Sequence, residues 1–170
     1  VTMILDGGAC GVGIESTIVA FSGDEPMLLR PGAIGLSDLF RVLGRAPRAR
    51  DAAAAPRASG TLAAHYAPKT PATLVAANAL HAEIAQLGER DEVIAVLART
   101  IARPADFVDI WIDAPAGAAA YAHDLYANLR ALDAANVDAI LIEAVPHDDA
   151  WLAVLDRLTR ATRGEDDDRD

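Results

Sequence analysis

A single cysteine, Cys10, occurs in the chain of 170 residues. No internal disulfide can form, and one cysteine with four scattered histidines offers no zinc-ligand spacing. Such sparing use of cysteine points to a reducing, cytoplasmic setting. Aromatic residues are only 5% of the chain. Much of the hydrophobic fraction is alanine, which buries little surface, so the core must rest on Leu, Ile and Val. Lys69 is the only lysine, and the net charge is −10. That balance excludes broad nucleic-acid binding through a basic face. No apolar run is long enough to span a membrane, and the start has no signal-peptide pattern. There is no phosphate loop of the GxxxxGK[ST] type and no recognisable hydrolytic triad.

What is present reads as a globular α/β chain. Charged residues are 24% and hydrophobic ones 52%. Residues Val1 to Asp6 read as a strand, and a start of this kind is expected of a piece of a longer protein. GVGIES, from Gly11, lacks the helix that a dinucleotide fingerprint requires and reads as a tight turn. ESTIVAFS alternates as a strand, SGDEP has turn chemistry, and MLLR is a second strand ended by Pro31-Gly32. Pairing of the two as a hairpin brings Ser16 and Arg30 near one end. A hydroxyl and a guanidinium held there suit a small polar substrate and a phosphate.

Gly35 to Leu43 reads as a short helix with Ser37 as N-cap and Gly44 as stop. Five arginines and one acid then fall between Arg41 and Arg57. They read as a solvated linker, with a basic strap near phosphates as the competing reading. Prolines 56, 68 and 71 keep this linker from being one helix.

After Pro71 the pattern alternates. Strands are expected at Thr73–Ala76, Glu92–Leu97, Phe107–Ile112 and Asp138–Glu143. Helices are expected from Asn78 to Leu87, from Gly117 to Ala134 with Tyr121, Leu125, Leu129 and Leu132 on one side, and after Asp148-Asp149. The last presents Trp151, Val154, Leu155 and Leu158. This order implies a mainly parallel, Rossmann-like layered sheet. Glu143 ends a strand at the edge where such sheets bind ligands, and its role as ligand contact or as structural bond stays open. His123 and Asp124 diverge by roughly 100° on a helix, so they are not expected to meet. The tail EDDDRD is expected to be disordered.

Three stretches carry a family resemblance. GIESTIV with LLRPGAI resembles the end of the YrdC-like catalytic domain of threonylcarbamoyl-AMP synthases. SGTLAAHYAPKTP resembles that family's interdomain linker, and HDLYANLRALDAANVDAILIEAVP the core of its smaller C-terminal domain. The resemblance implies an α/β fold in which a β-rich remnant of a YrdC-like domain (1–44) and an extended linker (45–71) precede a Rossmann-like domain (72–164) and an acidic tail (165–170). It implies the synthesis of threonylcarbamoyl-AMP from L-threonine, bicarbonate and ATP with Mg²⁺, for the t6A modification of tRNA. Ser16 is then expected to contact L-threonine, and Arg30 and Tyr66 to contact ATP. Other t6A-pathway proteins are conceivable partners; direct nucleic-acid or membrane binding is not expected. The family's Lys/Arg pair and Ser-x-Asn element lie upstream of the GIEST segment and have no counterpart here. The chain is therefore expected to be a C-terminal part, inactive alone. The alternative is a non-catalytic nucleotide- or protein-binding regulatory module.

Overall fold

The architecture comes from a computed structural model of the chain. It describes residues 2–50, 56, 58, 59, 67–107 and 109–163, and for Ser22 the backbone alone. Tyr66 and the acidic tail lie outside the described residues.

Two sheets organise the described residues. The first holds β1 (Ile18–Ser22), β2 (Glu25–Arg30) and the two-residue β3 (Arg48–Ala49). β1 and β2 form the expected antiparallel hairpin, with Ser22 opposite Glu25. At its open end Ile18 faces Arg30 while Val19 faces Leu28, a bulge that re-aims the strand end carrying Arg30. β3 adds to β2 in parallel; two residues gave no alternation to read beforehand. Helix α1 (Leu36–Leu43) follows the hairpin and stops at Gly44, whose φ of 71° is left-handed as glycine permits.

The second sheet is wholly parallel, in the order β4-β7-β5-β6: β4 (Ala72–Val75), β7 (Ala139–Glu143), β5 (Ile94–Ala98), β6 (Ile110–Asp113). Helix α2 (Leu80–Gly88) connects β4 to β5, α3 (Ala118–Asp133) connects β6 to β7, and α4 (Leu152–Ala161) follows β7. The two crossovers run across the sheet in opposite directions. With right-handed connections their helices must fall on opposite faces. The core divides accordingly. Ile94, Val96, Ala98 and Leu141 pack with Leu80 of α2, whereas Ala95, Leu97, Ile140 and Ile142 pack with α3 and α4. Burial alternates along the strands because successive side chains leave opposite faces. The apolar side expected on α3 is buried in full: Tyr121, Leu125, Leu129 and Leu132 are 4% exposed or less. Each fully buried leucine contributes about 1.5–3 kcal/mol relative to an exposed one.

Several expectations are corrected. Residues 2–6 form no strand, and Met3, Ile4 and Leu5 are 75–87% exposed. A strand needs a partner edge, and none in the described residues pairs with residues 2–6. Ser37 does not cap α1; Gly35 precedes that helix, and its first amides are bonded by Asp149 from the turn before α4. Asn78 sits inside a short 3₁₀ turn (Ala77–Ala79) rather than capping α2. Asp148 does not cap α4 either; its Oδ1 accepts from the N–H groups of Ala150 and Trp151 in the turn that precedes that helix.

Candidate functional site

Ser16 and Arg30 come together as the hairpin pattern implied. Arg30 is 6% exposed, and its guanidinium donates from Nε to the Ser16 carbonyl at 3.0 Å and from Nη1 to the Ser59 carbonyl at 3.0 Å. Nη2 lies 3.4 Å from the Ser16 hydroxyl. The Ser16 side chain itself is exposed. The arrangement is an outward hydroxyl backed by a buried cation whose five donors are partly used to hold the chain. The Nη1 bond also ties Ser59 to the hairpin.

Two close approaches build this end of the molecule. Gly32 lies so near the 15–17 segment that a Cβ would fall 2.3 Å from the Thr17 nitrogen. Only glycine lets the chain after β2 fold over the chain before β1. Thr17 locks the same crossing: its hydroxyl donates to the Ile34 carbonyl at 2.9 Å and accepts from the Ile34 N–H at 3.2 Å. Gly13, at φ 78°, would place a Cβ 2.3 Å from the His123 backbone, which presses the 11–16 segment onto α3. Ile14 consequently joins the α3–α4 core at 8% exposure.

Polar contacts fasten the same segment. Arg157 of α4, 3% exposed, donates from Nε to Glu15 Oε2 at 3.0 Å and from Nη1 to the Pro31 carbonyl at 2.8 Å. Tyr126 of α3 donates to the Glu15 carboxylate at 3.0–3.1 Å. Burial, helped by the neighbouring Glu15 charge, pushes the Tyr126 phenol above its ordinary range. Burial works against the charge on Arg157, but Glu15 and Asp156 outweigh it and raise its pKa. These residues escaped the sequence reading. Their partners are distant in the chain, and neither periodicity nor a motif joins them.

Two cavities lie beside this end, not at it. One of about 540 Å³ runs between β2, β3 and α4, bordered by Leu28, Leu29, Arg50, Leu155, Asp156 and Arg160. Another of about 530 Å³ lies between the 11–14 segment, the start of α1 and the first turns of α3 and α4. Neither is lined by Ser16 or Arg30.

Glu143 resolves to one of its two open roles. Its carboxylate is fully buried and accepts the N–H groups of Arg99 (2.6 Å), Thr100 (2.8 Å) and Ile101 (3.2 Å), together with the Thr100 hydroxyl. Burial opposes its ionisation, but these donors outweigh burial and hold its pKa below the usual carboxylate value. Consecutive amides beyond a parallel strand form a concavity suited to an anion. Here the chain's own side chain fills it. Arg99 completes the corner, with Nη2 4.0 Å from Glu143 and its guanidinium over the Trp151 ring at 5.1 Å. His123 and Asp124, contrary to expectation, do meet, at 2.6 Å. Both remain about half exposed, and rotation about the side-chain bonds closes the angle between neighbours on the helix.

Comparisons with known proteins agree with this architecture. Residues 34–162 match the family model of the threonylcarbamoyl-AMP synthase C-terminal domain. The chain is 32% identical over 169 residues to the threonylcarbamoyl-AMP synthase of Bacillus subtilis, covering 95% of this chain and 49% of that protein. It is 29% identical over 184 residues to the Schizosaccharomyces pombe synthase, covering 95% and 45%. The crystal structure of P. abyssi Sua5 complexed with L-threonine superposes with a TM-score of 0.78 at 26% identity, over 92% of this chain and 48% of that one. The chain thus spans about half the length of the relatives it matches. With its parallel sheet, its two helical layers and the match across residues 34–162, the chain belongs to the threonylcarbamoyl-AMP synthase C-terminal domain family.

Proposed function

We propose that this chain is the C-terminal part of an L-threonylcarbamoyladenylate synthase, which joins L-threonine, bicarbonate and ATP into threonylcarbamoyl-AMP and pyrophosphate for t6A synthesis in tRNA. The observation that carries the reading is the pairing of an exposed Ser16 hydroxyl with the buried Arg30 guanidinium at the open end of the hairpin. The solved relative with L-threonine supports an amino-acid substrate. In this reading Ser16 orients L-threonine by a hydrogen bond. Arg30 keeps two N–H groups for phosphate oxygens as N-carboxy-L-threonine, formed from L-threonine and bicarbonate with loss of water, attacks the α-phosphate through its carbamate oxygen and pyrophosphate leaves. Catalysis of this kind is mainly positioning and stabilisation of charge. Mg²⁺ would arrive on the triphosphate, whose oxygens suit a hard cation. The setting is cytoplasmic. The net charge of −10 leaves direct tRNA binding to other proteins of the pathway.

The 170 residues alone do not make the product in this reading, because the family's upstream motifs are not in the chain. Pyrophosphate release from ATP, measured with and without L-threonine and bicarbonate, tests both halves of the proposal. The isolated chain should show no release that depends on both substrates. The chain joined to a YrdC-like upstream half should show it, and should lose it on Ser16→Ala or Arg30→Ala. Full activity of both variants would end the reading of the site.

A further inference from the structure

We infer that Arg157 is a positioning residue, through which the C-terminal module sets the geometry of the Ser16–Arg30 pair. The inference rests on the functional reading above and assigns the C-terminal module a part in it. One guanidinium holds Glu15, the neighbour of Ser16, and the Pro31 carbonyl, the neighbour of Arg30. Arg30 in turn holds the Ser16 carbonyl. The contacts therefore close a ring: Arg157 to Glu15, along the chain to Ser16, across to Arg30, along the chain to Pro31, and back to Arg157. No hydrogen bond in that ring exceeds 3.0 Å. Both helices packed on this face contribute, because Tyr126 of α3 donates to the same Glu15 carboxylate.

The chemistry of the parts favours positioning over simple adhesion. A buried ion pair is a poor source of stability, and apolar residues of similar volume often serve as well or better. A rigid planar fork is the side chain that can hold a carboxylate and a carbonyl at fixed relative angles. A lysine in its place has one flexible ammonium and cannot reproduce both angles. Glu15 is turned inward to the clamp while Ser16 is exposed. Fixing the first therefore aims the second at whatever approaches the hairpin end. Arg157 Nη1 also donates to Asp156 Oδ2, on its own helix, at 2.9 Å, so the contacts through which the guanidinium reaches beyond α4 are those to Glu15 and Pro31.

Two measurements on Arg157→Met, Arg157→Lys and Tyr126→Phe test this. The first is deuterium exchange on the 170-residue chain. Arg157→Met should speed exchange at Ser16, Thr17 and Ile34 at least tenfold and leave β5 and β7 unchanged; equal protection at those sites would overturn the inference. The second uses the chain joined to an upstream catalytic half. There Arg157→Met should raise KM for L-threonine about tenfold or more, in the range that small misplacements of substrate groups produce. Arg157→Lys should not restore it, and the milder Tyr126→Phe should show the same trend if Arg157→Met fails to fold. A lower Tm with KM unchanged well below that Tm would reduce Arg157 to structural glue. If the unmutated joined protein makes no threonylcarbamoyl-AMP, the functional reading fails, while the exchange result still decides the clamp.

Discussion

Asp149 caps a helix 113 residues away in sequence. Its Oδ1 accepts the Leu36 N–H at 2.9 Å and its Oδ2 the Ser37 N–H at 3.1 Å, so one carboxylate from the turn before α4 satisfies two free amides at the start of α1. Those donors have no partner inside their own helix. The negative charge also sits at the favourable end of the helix dipole. Gly35 lies against the same carboxylate, with Asp149 Oδ2 3.3 Å from where its Cβ would be.

Replacing this cap should therefore loosen α1 before anything else. Asp149→Ala is expected to cost about 1 kcal/mol, the usual value of an N-cap. Chemical denaturation measures the total, and exchange at Leu36–Phe40 locates it. An unchanged midpoint would mean that solvent serves α1 equally well.

Acid should destabilise the fold through three carboxylates. The pKa of Asp149 is lowered by the Leu36 and Ser37 amides, that of Asp133 by the Thr70 amide, and that of Glu143 by its Thr100, Arg99 and Ile101 donors against the pull of burial. Each binds its proton less readily folded than unfolded. The stability they supply is thus complete above the unfolded carboxylate range, roughly pH 4, and is lost as pH falls through the lower folded values. Urea midpoints between pH 7 and pH 3 should be flat and then fall. Asp149→Asn should make the fall shallower.

Glu143→Gln keeps the shape of the side chain but sets an NH₂ among N–H donors. The expected loss is about 2–3 kcal/mol, as for hydrogen bonds to a buried charged group. The loop at Arg99–Ile101 should show the largest change in exchange. A neutral result would show that the amide concavity is met by water as well as by the carboxylate.

Tyr66 lies outside the described residues, and we propose that it contacts ATP. The phenol offers a polar tip and the ring excludes water. In a catalytically complete protein, Tyr66→Phe should weaken ATP use modestly and Tyr66→Ala more. A Tyr66→Ala protein that loses stability but keeps its KM for ATP would rule out the contact.

The parallel α/β sheet with its helices could be read from the sequence because its signals are local. Tyr121, Leu125, Leu129 and Leu132 recur at helical spacing, and AILIE is an unbroken apolar run that proves to be a central strand. The hairpin was equally open to reading, since turn residues separate two short apolar runs. What stayed hidden depends on meetings across the fold. Nothing near Asp149 marks it as the cap of α1, and nothing near Arg157 names Glu15 or Pro31. VTMILD misled because strand propensity states only a readiness to pair. At Glu143 the sequence placed a carboxylate at the right edge, but the three amides that claim it belong to a loop without a signature.

The strand order also sets a schedule for folding. β7 is the last strand of its sheet to be made, yet it lies between β4 and β5, which have no pairing with each other. Until Glu143 has left the ribosome, β4 has no neighbour in that sheet and β5 has only β6. α2 must wait beside a gap, and the amides of Arg99, Thr100 and Ile101 wait for the carboxylate that arrives at the end of that same strand. The sheet therefore cannot grow strand by strand during synthesis. It closes when its last-made strand slides into the middle.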